Sequence, residues 1–152
     1  MIKEIQPRSE DQNPVGHKIF LAGTIEMGNS IDWQRMVVNH IAENGFGGHE
    51  DITIFNPRRD EWPNDRNELV FQINWEQDRL YEADQIIMFL APGTTSPISL
   101  LELGEFSNSG KISVICPEEF YRYDNVMVMC ERCGIPLNQM DEFGEWFAKN
   151  IK

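Results

Sequence analysis

A short, unbroken apolar run at residues 85–90, QIIMFL, followed at once by Pro92 and Gly93, constrains this chain more than any other stretch. A run of that length without polar alternation fits a strand buried on both faces, the kind found in parallel sheets covered by helices on either side. Similar runs occur at residues 19–22 (IFLA), 52–55 (ITIF) and 111–116 (KISVIC). Between them lie segments of helical spacing. Trp33, Met36, Val37, Val38, His40 and Ile41 form one, with Ser30 or Asp32 as its cap; Leu69, Ile73, Gln77 and Leu80 mark a second over residues 68–81. Leu100, Leu101, Leu103 and Phe106 mark a third, with Gly110 as its stop, and residues 126–133 and 141–152 complete the helices. This alternation predicts one doubly wound α/β domain over residues 17–152, with a mainly parallel sheet of five strands if a short strand near residues 135–137 joins. Residues 1–16, carrying Pro7, Asn13, Pro14 and Gly16 and no periodicity, read as a loose tail.

Composition narrows the partners. A chain of 152 residues that is 41% hydrophobic and 25% charged suits a single soluble domain with a full core. Its net charge of −12 argues against a nucleic-acid polymer or an anionic membrane surface, both of which require a basic patch. With no membrane-length apolar run and no apolar signal core near Met1, the expected location is the cytoplasm. Cys116, Cys130 and Cys133, an odd number, suggest no disulfide framework, and Cys130-x-x-Cys133 lacks a second such pair or paired histidines, so neither metal nor cofactor is expected.

In open α/β sheets, ligands bind beyond the carboxyl ends of the strands, where helix N-termini favour anions. The stretch PGTTSPISLLELGEFSNSGK at residues 92–111 runs from a strand end into a helix at that edge, and it carries small hydroxyl residues followed by Glu102. Two roles for Glu102 stand open here. Ser99 to Glu102 is an S-x-x-E capping box, and Glu102 is equally placed to face a ligand crevice. Glu76 is either a solvated residue of an amphipathic helix or a second working carboxylate. Arg58 and Arg59 follow a strand on the same edge; they either bind an anion or pair locally with Asp60 and Glu61. Trp33 and Trp62 are candidates to stack on a base, against the alternative of core or loop anchors. Neither G-x-G-x-x-G, a Walker A pattern nor a serine-hydrolase elbow is present.

The segments IFLAGTI, NPRRDEW, INWEQDRLYEADQIIMFL, SPISLLELG and GKISVICPEEF together resemble the nucleoside 2-deoxyribosyltransferase family, over about residues 18–136. That resemblance implies a flavodoxin-like domain in which the glutamate of the ELG motif, here Glu102, attacks C1′ of a nucleoside and forms a glycosyl-enzyme. Glu76 matches an acidic residue that positions sugar and nucleophile, where the transferases have aspartate. Ser96 stands where the transferases carry an aspartate that handles the base, and a serine there resembles the related 2′-deoxynucleoside 5′-monophosphate N-glycosidases, in which it helps hold the 5′-phosphate. The family also completes each pocket with an asparagine from a neighbouring subunit. Asn125, in YRYDNV, is the nearest match, which implies a homodimer or higher homo-oligomer.

The expected substrate is therefore a small nucleoside or nucleotide. Glu102 would trap an oxocarbenium-like sugar, and Glu76 or water would protonate the leaving base. Gly23, Thr24, Ser96, Ser99 and Arg58 would line the pocket and hold a phosphate. The alternatives are base exchange by a transferase and a non-catalytic nucleotide-binding module.

Overall fold

A computed structural model describes residues 1–25, 32–62 and 64–139, and within them the chain alternates strand and helix as the apolar runs predict. The strands are β1 (Ile2–Ile5), β2 (His17–Gly23), β3 (Ile52–Phe55), β4 (Gln85–Phe89), β5 (Ile112–Ile115) and β6 (Leu137–Asn138). The helices are α1 (Trp33–Asn44), α2 (Arg66–Glu82), α3 (Pro97–Glu105) and α4 (Tyr123–Cys133). All strand pairs are parallel, in the order β1-β3-β2-β4-β5-β6. Without β1, the order is that of a flavodoxin-like sheet, in which the chain first moves one way from β2 and then returns to build the other side.

Because crossovers between parallel strands are right-handed, that reversal sends helices to both faces. Strand residues divide accordingly, with a period of two. Ile19, Leu21, Ile52, Ile54, Ile87 and Phe89 pack with Trp33, Val37 and Ile41 of α1. Phe20, Ala22, Phe55, Ile86, Met88 and Val114 pack with Trp75 and Leu80 of α2, Leu103 of α3, and Val126 and Cys130 of α4. Full burial of each large apolar side chain contributes roughly 1.5–3 kcal/mol relative to exposure.

The N-terminal residues are not a loose tail. Ile2–Ile5 pairs with β3 as an edge strand, which makes the sheet six-stranded rather than five-stranded. Residues 6–16 then cross to α2, where Trp75 Nε1 donates to Gln12 Oε1 at 2.9 Å and Arg79 donates to the Gln12 carbonyl at 2.6 Å. With only Ile2 and Ile5 apolar, IKEI has no pattern to announce a strand; it is held by backbone pairing to an edge that exists only after β3 has joined the sheet.

Other boundaries shift for local reasons. Asp32 caps α1 by accepting from Arg35 N; Ser30 lies outside the described residues, as does the helix expected at 141–152. Helix α2 begins earlier than expected because Asp65 accepts from Glu68 N at 2.9 Å. The late strand falls at Leu137–Asn138, pairing with β5. Helix α3 ends at Glu105, before Gly110, which instead turns the chain towards β5 with φ 75°.

Candidate active site

The candidate site lies beyond β2 and β4, where the winding of the sheet changes direction. Gly23 closes β2 with φ 124°, and a Cβ there would sit 2.2 Å from the Phe89 carbonyl oxygen. Only glycine permits this close approach. It sets Thr24, fully buried, against the end of β4: Thr24 N donates to Phe89 O at 2.8 Å, and Ala91 N donates to Thr24 Oγ1 at 2.9 Å.

Three hydroxyls from two loops meet there. Ser96 Oγ lies 2.8 Å from Thr24 Oγ1 and 2.9 Å from Thr94 Oγ1, while Thr94 Oγ1 donates to the Ala91 carbonyl at 2.7 Å. This network ties the residue 91–96 loop to β2. Ser96 is held at φ 46°, a left-handed conformation rare for a residue with a side chain. It is also the residue at which α3 begins, because Pro97 occupies the first helical position.

That start corrects the capping-box reading. Ser99 is the third residue of α3 rather than its cap, so Glu102 lies beyond the first turn, where it cannot reach back to a cap residue at 99. Ser99, Glu102 and Leu103 are the buried residues of the helix, 4%, 6% and 3% exposed. Glu102 therefore turns inward beside apolar groups. Burial, followed by the charges of Glu76 and Glu105, raises its pKa to about 8.

Glu76 comes from the inward face of α2. It is half-buried, and Gln72 Nε2 donates to its Oε1 at 3.0 Å, so it is not a solvated surface residue. Burial lifts its pKa to about 6 against the opposing effect of the Gln72 hydrogen bond. The charge of Glu76 is in turn one of the causes that raise the Glu102 pKa, and carboxyls with raised pKa values recur in acid–base sites.

The arginines also depart from local pairing. Arg58, with 11% of its side chain exposed, donates to Gln34 Oε1 at 3.3 Å and lies 3.8 Å from Asp32. Gln34 is itself fully buried and reaches the Thr24 carbonyl at 3.4 Å, so Arg58 joins the same strand edge as the hydroxyl cluster. Arg59 turns to Glu68 and Gln72. Trp33 is core, 1% exposed, with Nε1 donating to the Thr24 carbonyl at 2.8 Å, which takes it away from stacking on a base; Trp62 is a half-buried loop residue.

Asn125 stands apart from these groups. It is exposed on α4, where it lines a groove with Leu100, Leu103, Tyr121, Val126 and Met129. Gln34 and Gln72 are the site residues that the apolar pattern passed over. Their signal is a polar side chain at a core-facing helical position, visible once Trp33 and Trp75 define which face points inward.

The fold is that of a doubly wound α/β domain with two carboxyl groups, Glu76 and Glu102, at the edge where ligands of such sheets bind. The chain belongs to the nucleoside 2-deoxyribosyltransferase-like family, whose model matches residues 16–120. No curated protein matches the chain. Family membership supports an enzyme acting on a small nucleoside-type substrate. Among the described residues, no helix is long and apolar enough to cross a membrane.

Proposed function

We propose that this protein cleaves the N-glycosidic bond of a deoxynucleoside 5′-monophosphate, using Glu102 as nucleophile and releasing the sugar phosphate to water. The observation that carries the reading is the inward-facing Glu102, set against Glu76 at the edge where ligands of this fold bind. In the first step, a Glu102 carboxylate oxygen bonds to C1′ as the C1′–N bond breaks, and the bond's electron pair leaves with the base nitrogen. Glu76 or water supplies the proton that neutralises the leaving base. Water then attacks C1′ and surrenders a proton to the ionised Glu76 or to solvent, restoring the Glu102 carboxylate.

Burial makes Glu102 the harder of the two to ionise in the empty site, so a proton shared by the pair favours Glu102. Positive charge developing at C1′ reverses that preference. It favours the Glu102 carboxylate and leaves the proton on Glu76, available to the base.

The phosphate reading rests on the start of α3. The N–H groups of Ile98 and Ser99, in the first turn, have no partner within the helix, and the positive end of the helix dipole lies there. Arg58 offsets the negative charge of the surrounding protein. Ser96 contributes by holding this loop against Thr24, and an aspartate there would add a negative charge in a conformation that aspartate tolerates.

The test is a product assay with deoxynucleosides and their 5′-monophosphates, each supplied with an excess of a different free base. Sugar phosphate plus free base should dominate with the monophosphates, and Ser96→Asp should lower kcat/KM for them about tenfold or more, with less effect on nucleosides. Efficient transfer to the added base, with nucleosides used as readily as nucleotides, would assign base exchange instead.

We further propose that the pocket is completed in a homo-oligomer by Asn125 of a second copy. Tyr121 and Met129, which line the Asn125 groove, are exposed at 54% and 36%, and Ile98 and Leu101 of α3 at 59% and 67%. Sedimentation should show a dimer or larger species at micromolar concentration. Asn125→Ala should raise KM several-fold without dissociating it. A fully active monomer would overturn the assignment.

A further inference from the structure

Gln72 is 4% exposed and every polar atom of its amide is engaged. Nε2 donates to the Pro57 carbonyl at 3.0 Å and to Glu76 Oε1 at 3.0 Å, while Oε1 accepts from Arg59 Nη1 at 3.4 Å. These partners leave no choice of amide orientation. A carbonyl only accepts and a guanidinium only donates, so the NH2 side must face Pro57 and Glu76.

Arg59 is secured in turn. Its guanidinium also reaches Glu68 Oε2 at 3.4 Å, and the other oxygen of Glu68 pairs with Arg8 from the N-terminal arm. The charged groups facing Glu76 are thus Glu102 from α3 and, behind Gln72, Arg59 from the loop after β3 with Glu68 from α2 itself.

Resting on the glycosidase reading above, we propose that Gln72 is a positioning residue for Glu76. Its amide reserves Oε1 of Glu76 as a hydrogen-bond acceptor, so that the proton Glu76 receives and delivers is carried on Oε2. A donor at this place favours the ionised carboxylate and opposes the effect of burial. It also couples the proton donor to the loop bearing Arg58, because the same amide nitrogen holds the Pro57 carbonyl.

The test compares wild type with Gln72→Met, which preserves approximate volume without a donor, and Gln72→Glu, which preserves shape but replaces the donor with a carboxyl. The Glu76 carboxyl is titrated by carbon NMR, and kcat/KM is measured against pH. The Glu76 midpoint should rise by about one unit in Gln72→Met and further in Gln72→Glu, with the acidic limb of the rate profile moving in parallel. A purely structural role would lower Tm without this ordered shift. An unchanged midpoint in both variants overturns the proposal. Because titration needs no turnover, it stands apart from the glycosidase reading, which fails if wild type releases no base.

Discussion

Glu102→Gln should abolish base release and make the protein more stable. The amide keeps the shape of the side chain but removes the charge that, in the proposed mechanism, bonds to C1′, so kcat should fall about a thousandfold or more. The stability gain follows from the same burial. A carboxyl whose folded pKa is raised to about 8 from an ordinary value of 4.5 favours the neutral form in the folded protein. Below the unfolded pKa both states are protonated and the group exacts no penalty. As pH rises through 4.5 towards 8, the unfolded chain gains its preferred charge and the folded chain does not, so native stability falls. Glutamine has no charge to lose. At pH 8 the variant should therefore be more stable by roughly 2–4 kcal/mol, and the difference should shrink towards zero near pH 4. Urea denaturation across this range, beside a base-release assay, measures both effects. Wild-type turnover by the variant would remove Glu102 as nucleophile, while equal stability at pH 8 would contradict its inward, desolvated setting.

Glu76→Gln should reduce kcat/KM about a hundredfold and displace the remaining titration to lower pH. Loss of a positioned proton donor accounts for the first effect. The second has a definite sign. Burial is the largest cause of the raised Glu102 pKa and the Glu76 charge comes next, so removing that charge makes Glu102 easier to ionise. Wild type should show a bell-shaped kcat/KM profile with limbs near pH 6 and 8, belonging to the pair rather than to either residue. The variant should retain a single ionisation, that of Glu102, at a midpoint below 8. Substrates with an activated leaving group need little protonation and should recover most of the lost rate. A Glu102 midpoint still near 8 in the variant would show that the Glu76 charge does not reach Glu102.

The two variants separate what each carboxyl contributes. On the proposed mechanism Glu102 should be required whatever the leaving group, because it would form the bond to sugar, whereas Glu76 should matter in proportion to the proton demand of the base. That distinction distinguishes a nucleophile from its acid partner without requiring a trapped intermediate.

The strands at 52–55 and 85–90 were legible because burial on both faces leaves a mark that any single strand carries by itself, a short run with no polar interruption. Glu102 was legible as a candidate through the ELG segment, but its role as a cap or as an inward carboxyl depended on where α3 begins. Pro97 and the left-handed Ser96 decide that, and a shift of three residues moves Glu102 out of the first turn. Two kinds of information were thus readable in one dimension: the apolar period that fixes strand and helix, and local motifs such as NPRR and ELG that mark the ligand edge. What required three dimensions was every relation between distant segments. The edge strand Ile2–Ile5 exists because β3 offers unpaired backbone groups; Gln72 becomes a clamp because Pro57 and Arg59 arrive from another loop; and Glu76 acquires its raised pKa because α2 turns it away from water. Periodicity reports which way a residue faces, whereas its ionisation and hydrogen bonding depend on neighbours that only the folded sheet brings together.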